Sequence, residues 1–461
     1  MSIDATSSPT PTPPTASAGN AVPADLGLPG LGLSMQLAGG IFSVFIGAML
    51  ISMMMAPGGS REVLWIFILA AAAVGRSLYH AAAGRHLLYD ERPMSMIPTY
   101  FVISAVQTVV TVFIMVSKLR LPDSAGLGIA VGLMLWPTTL FIIARQPRFR
   151  DLTERLPNTE DKSFEGVSII LTIFGATGVL GMGGLLFTML KMPSRQLQQG
   201  PVMLLMLGLV LLFIRSVLHV RAGLRGVRET DQRGTVEMIN QYANFGVIAA
   251  LVFGAVMFML LVQAGGRRMP MLPVLTMVAA VTWVLLLWPM AVRKYVSERQ
   301  FTDLMADSTS HVRAVDGGLS VLGWFLLGNA MLAASMLAPS LFSNGQGLGG
   351  PLQMFGGATG TATWMSLLVI VLQITAAHEL ITASVRGRVV ASAFAVVAIA
   401  VQLYNIGPIW RTLTQGGGMR QMLDGGSTIM FTMIAVGLVV PVVTAIMANR
   451  NLTPTAKARF R

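Results

Sequence analysis

The amino-acid sequence predicts an all-α polytopic membrane protein of about 12 transmembrane helices, arranged as three tandem parallel four-helix repeats. Three observations predict it: the composition, the length of the apolar runs, and a spacing that recurs along the chain. Of the 461 residues, 54% are hydrophobic and only 11% are charged. A soluble globular chain carries roughly 25% charged residues. A run of about 20 apolar residues crosses a bilayer as a helix, because lipid offers the backbone no outside hydrogen-bond partner. Twelve such spans are legible, at 34–56, 63–84, 97–117, 125–144, 166–190, 201–222, 244–264, 272–292, 318–340, 362–384, 389–409 and 428–448.

The recurrence is carried first by proline. Trp136-Pro137 lies in the fourth span, Trp288-Pro289 in the eighth and Pro441 in the twelfth, and the prolines are 152 residues apart both times. The second span ends in RSLYHAAAG (Arg76 to Gly84) and the sixth in RSVLHVRAG (Arg215 to Gly223), with five of nine letters unchanged. His80, His219 and His378 fall in spans two, six and ten, although Ile374 stands where a third arginine is expected. Independent signals at one period are the mark of an internal repeat. Because four is even, successive copies share one orientation and are parallel rather than inverted. The simplest assembly is three bundles around a pseudo-threefold axis, with a linear row as the alternative.

Taken in order, residues 1–33 are rich in Pro, Ser, Thr and Ala and hold no aromatic, Lys or Arg. Such a segment cannot offset its ordering entropy by burial, and it reads as a disordered cytoplasmic tail. It lacks the basic start of a secretory signal peptide, so the first span is expected to be retained. The first repeat covers 34–165, the second 166–317 and the third 318–461, which ends in a short basic tail. The first two close on long charged connectors, each with a basic start and then an FRDL or FTDL stretch. With both termini inside, cytoplasmic loops and tail hold 21 Lys and Arg against nine on the other side. Positive residues stay cytoplasmic, so the expected topology is N-in and C-in. Only five of the 32 basic residues are lysine, which suits a GC-rich bacterial genome and hence an inner membrane.

Several function classes drop out. The net charge of +12 is scattered over interhelical loops rather than gathered with aromatics on one surface, which excludes nucleic acid as a partner. With no cysteine there are no disulfides, thiolate metal sites or thiol nucleophiles. The 32 methionines are spread through apolar runs such as MLISMMMA, where methionine is a flexible filler rather than a metal ligand. GATGVLGMGG (Gly175 to Gly184) and GGATGTAT (Gly356 to Thr363) lack the Lys-Ser/Thr of a phosphate loop and read as close-packing stretches. No HExxH or GxSxG occurs, and His86 and His311 lie in connectors without metal-ligand spacing. Nothing calls for a cofactor, a metal or an enzymatic activity.

The candidate site is the set of polar residues inside the spans. Positions i, i+4 and i+8 share a helix face, which aligns Arg76, His80 and Gly84, and likewise Arg215, His219 and Gly223. Span ten offers His378 with Glu379 beside it, the only acid inside any span. Such groups cost about 2.5–3.5 kcal/mol at mid-bilayer and usually face protein or water. One reading is a polar patch on the cytoplasmic half that binds an anion or relays protons. The other, which is preferred, is an anchor: arginine snorkels, histidine caps terminal carbonyls and glycine permits close packing. Pro137, Pro289 and Pro441 are read as helix kinks inherited by duplication.

Two functions compete. A carrier for a small solute, an anion being the candidate class, predicts that the histidine-bearing spans converge on a water-accessible cavity. A scaffold, assembly or signalling component predicts packed bundles and protein partners at the cytoplasmic connectors. RAGLRGVRETDQRGTVEMINQYAN (Arg221 to Asn244) reads as a surface helix or linker of the second kind. Twelve helices in repeats suit a pathway, which favours the carrier by architecture alone. In either case the bilayer is the main partner.

Overall fold

The computed structural model describes residues 27–54, 61–89, 94–146, 149, 164–190, 200–228, 232–265, 271–297, 318–342, 360–382, 384–415 and 426–450. They form twelve helices, all of 21 residues or more: α1 (Leu28–Met54), α2 (Arg61–Tyr89), α3 (Ile97–Ser117), α4 (Asp123–Ala144), α5 (Phe164–Leu190), α6 (Gly200–Arg228), α7 (Gln232–Gly265), α8 (Met271–Val296), α9 (Leu319–Phe342), α10 (Gly360–Ile381), α11 (Gly387–Gln415) and α12 (Gly426–Asn449). Among the described residues ten helices are long and apolar enough to cross a membrane, while α9 and α12 contribute the shorter apolar stretches Leu319–Ser335 and Gly437–Asn449. The protein is all-α, multi-pass and membrane-embedded.

Two stretches expected outside the spans are helical. Residues 28–33, expected in the tail, are the first turns of α1, and Leu28, Leu31 and Leu33 are buried. Three leucines in six residues give this end a face to bury, and proline in a first turn removes no intrahelical bond. Residues 1–26 lie outside the described ones, as do 298–317 and most of 147–163. The stretch from Arg221 to Asn244 is no separate surface helix. Its two ends continue α6 and α7, with Val236, Ile239 and Tyr242 buried. The apolar period of α7 runs on past the expected span edge, and the buried face runs with it.

Consecutive helices pack as neighbours within α1–α4, α5–α8 and α9–α12. Three further pairings tie these quartets together: α1 with α8, α5 with α12, and α9 with α4. The pattern is cyclic, each quartet's first helix lying on the last helix of another. The first helices α1, α5 and α9 also touch one another. Their third residues are Gly30, Gly166 and Val321, and a Cβ on either glycine would stand 2.2–2.3 Å from a Val321 methyl carbon. One valine thus fills the room that two missing side chains leave. Gly27 and Gly318, immediately before α1 and α9, both take positive φ (68° and 80°) and accept the first helical bonds, from Leu31 and Leu322. Glycine adopts that conformation without a Cβ clash.

Apolar surface is turned outward as well as inward. On α3 the exposed residues Val102, Val106, Val109 and Phe113 form one stripe, while Tyr100, Ser104, Thr108 and Thr111 face the interior. That inverts the soluble pattern and matches a helix whose outer face meets acyl chains. Close helix approach is set by glycine. A Cβ on Gly84 would meet Gln36 N at 2.5 Å and Gly32 O at 2.6 Å, and one on Gly223 would meet Thr172 N at 2.6 Å and Ser168 O at 2.8 Å. These are backbone atoms and cannot swing aside. Gly84→Ala and Gly223→Ala are therefore expected to lose about 1–2 kcal/mol in thermal unfolding of the detergent-solubilised protein. Gly75→Ala, where a Cβ meets nothing within 4 Å, is expected to stay within about 0.5 kcal/mol of the parent.

Candidate functional site

The stripe on α2 points into its own quartet. Arg76 Nη1 donates to Gln107 Oε1 on α3 at 3.1 Å, and Nη2 donates to the Leu133 carbonyl on α4 at 2.6 Å. The second contact has a covalent cause. Leu133 lies four residues before Pro137, and a helical carbonyl bonds the N–H four residues on. Proline has no N–H, so the Leu133 carbonyl loses its helical partner. In hydrocarbon an unpaired carbonyl costs several kcal/mol. The arginine supplies the missing donor from a neighbouring helix.

The second quartet repeats the contact. Arg215 Nη2 donates to the Leu285 carbonyl on α8 at 2.7 Å, and Leu285 lies four residues before Pro289. In the third quartet Pro441 frees the Gly437 carbonyl, but Ile374 has nothing to donate. There the carboxamide atoms of Gln402, on α11, lie 2.7–2.9 Å from where a Cβ on Gly437 would stand. Glycine at 437 makes that approach of an amide to the α12 backbone sterically possible. All three prolines are buried inside unbroken helices.

The histidines occupy three different settings. His219 is 6% exposed, and its Nε2 accepts the Trp288 indole N–H at 2.6 Å. That leaves Nδ1 as the protonated nitrogen of the neutral ring. The imidazole stacks on Tyr242 (centroids 4.4 Å apart, planes at 10°), and Phe174 meets Trp288 edge-on at 5.0 Å. His80 tilts against Tyr100 at 5.1 Å, with Nδ1 buried and unpartnered. His378 is exposed at the end of α10, where its own carbonyl accepts from Thr382 N and Oγ1. Glu379 is half-buried, with Oε2 shielded from solvent and without a hydrogen-bond partner.

Arg76 and His80 thus belong to α1–α4, and Arg215 and His219 to α5–α8. His378 and Glu379 lie at the rim of α9–α12. No group of three His, Cys, Asp or Glu able to hold a metal ion occurs among the described residues. A shallow groove lies between α3 and α4, lined by Val112, Phe113, Val116, Leu127 and Ala130, with Ser117 and Asp123 near the turn. It is apolar and about 20 Å along α3 from Tyr100.

Sequence reasoning missed the tyrosines. Tyr100 and Tyr242 are at most 2% exposed, and their phenols face Arg76 and Arg215 respectively. The signal was present: the chain has only six tyrosines, and each of these two lies in the helix that follows an Arg-His stripe. Other polar side chains also bridge helices. Gln373 Nε2 donates to the Leu326 carbonyl at 3.1 Å, and Ser335 Oγ to the Gly132 carbonyl at 2.7 Å. Comparison with protein-family models, curated proteins and solved structures returned no match to this chain.

Proposed function

We propose that the chain is three tandem four-helix units closed around a pseudo-threefold axis, and that it serves as a packed membrane platform for protein partners rather than as a solute carrier. The observation that carries this reading is the use made of intramembrane polar groups. Arg76 and Arg215 each hold the carbonyl that a proline four residues on has released, and His219 holds the Trp288 indole. These bonds fasten the second helix of a unit to its fourth. A coupled carrier needs such groups free to meet solute and water. The cyclic pairing of α1 with α8, α5 with α12 and α9 with α4 supports the ring over the row. The tandem units run 34–165, 166–317 and 318–461, with both termini on the cytoplasmic side of a bacterial inner membrane. Partners would engage the connectors on that side.

One labelling experiment tests packing and topology together, helped by the absence of native cysteine. Ser104 and Ala249 are fully buried beside the two arginine networks, and Val385 is 58% exposed in the α10–α11 turn. Ser104→Cys and Ala249→Cys are expected to resist a membrane-impermeant maleimide applied from either face. Val385→Cys is expected to react from the cytoplasmic face only. Labelling of either buried position from water would favour a carrier and overturn the platform. A photocrosslinking residue at Val385 or Val389, both exposed, is then expected to give a discrete protein adduct in cells.

A further inference from the structure

Arg120, in the turn between α3 and α4, has φ 56°, the only positive φ outside glycine among the described residues. Leu119 N and Leu121 N bond back to the Ile114 and Met115 carbonyls at 3.1 Å each, and this wraps the chain tightly around the end of α3. Glycine usually holds such a place, because a Cβ is strained there. The chain has 48 glycines, yet this position keeps an arginine. Asp123 follows three residues on, at the start of α4. Both side chains are exposed, and among the described residues they form no ion pair or hydrogen bond, with each other or with anything else.

The apolar groove between α3 and α4 begins at this turn. Its volume is about 420 Å³, and it leads from Ser117 and Asp123 to Val112 and Ala130, about 10 Å along α4. The two helices meet at Gly126 and Val116, whose Cγ2 lies 2.7 Å from where a Cβ on the glycine would stand. Lys118 stands over the Trp65 ring, 5.4 Å from its centroid. Lysine and tryptophan are residues of the membrane interface. The turn therefore lies at headgroup depth and the groove at the depth of the acyl chains.

We propose that this groove seats an acyl chain of a zwitterionic phospholipid with a primary-amine headgroup, its phosphate on Arg120 and its ammonium on Asp123. Charge complementarity selects the occupant. A guanidinium pairs with phosphate oxygens, and a carboxylate accepts hydrogen bonds from an ammonium. A purely anionic headgroup would leave the Asp123 carboxylate facing like charge. A quaternary ammonium has no N–H to donate to it. A chain-free phosphate would leave the apolar lining of Val112, Phe113, Val116, Leu127 and Ala130 unused. This site goes beyond the platform reading, since a bound lipid suits either a platform or a carrier.

The test is native mass spectrometry of the full-length protein in detergent, with equimolar phosphatidylethanolamine, phosphatidylcholine and phosphatidylglycerol of matched chains. Phosphatidylethanolamine is expected to give one adduct at several-fold higher occupancy than the other two. Arg120→Gly suits the local φ, so it is expected to keep the parent's Tm while weakening that adduct about tenfold. Asp123→Asn is expected to erase the preference over phosphatidylglycerol. Ala130→Phe fills the groove and is expected to weaken binding of all three lipids. Equal occupancy by the three lipids in the parent would mean ordinary surrounding lipid and would overturn the proposal. So would a preference for phosphatidylglycerol, or a phosphatidylethanolamine preference undiminished in the variants. Should the variants fail to fold, phosphatidylethanolamine with a photoreactive acyl chain is applied to the parent. Crosslinks within residues 112–130 are expected, and their absence would refute the site.

Discussion

His219→Ala is expected to lower stability by about 3–4 kcal/mol, while His378→Ala changes it by less than about 0.5 kcal/mol. The first substitution removes the acceptor of a buried indole N–H, a ring stacked at 4.4 Å on Tyr242, and side-chain volume from a closed cluster. An indole N–H left unsatisfied in a buried site costs about 1–3 kcal/mol by itself, and the cavity adds the remainder. His378 is exposed and offers no comparable partner set. His80→Ala falls between, because its ring packs on Tyr100 but accepts no indole bond. His219→Gln can still accept from Trp288 and is expected to recover part of the loss. Unfolding in mixed micelles, read by tryptophan fluorescence, gives the order. Equal effects at all three histidines would contradict the assignment of three different settings.

The second large effect is a coupling rather than a single loss. Arg215→Met exposes the Leu285 carbonyl to hydrocarbon only while residue 289 is proline. In a Pro289→Ala background the backbone N–H returns to that carbonyl, and the arginine is no longer needed there. A double-mutant cycle on Arg215 and Pro289 is therefore expected to give a coupling energy of about 1–2 kcal/mol, near the upper end for membrane hydrogen bonds. The gain or loss from burying the guanidinium itself cancels in the cycle. The pair Arg76 and Pro137 is expected to behave alike, whereas Arg76 with Pro289 is expected to be additive. Additivity within both proper pairs would remove the brace and the platform argument with it.

How much of this was legible beforehand depends on the range of the interaction. Membrane residence follows from local hydropathy, and the spacing of Pro137, Pro289 and Pro441 is visible without any fold. The cyclic pairing of α1 with α8 was not visible, because apolar faces meeting across more than 200 residues leave no local mark. In the sequence Arg76 reads as an anchor and Pro137 as a kink, with nothing to connect the two. What joins them is a backbone carbonyl, and the sequence spells out side chains rather than orphaned acceptors. Helical spacing also grouped His378 with His80 and His219. Three residues at corresponding depths need not share an environment when the neighbouring helices differ. In the third quartet Ile374 stands in place of an arginine, and Gln402 beside Gly437 brings an amide to the same kind of backbone position from another helix.

The ring of first and last helices has a consequence for biosynthesis. When α1 leaves the insertion machinery, the surface it will lay on α8 has no partner, because α8 begins more than 200 residues later. At usual elongation rates that wait is about 10–40 s. The same holds for α4, which waits for α9, and for α5, which waits for α12. A ribosome stalled after α7 would leave unmatched flanks on an otherwise well-formed bundle, an obvious mark for a membrane quality-control protease.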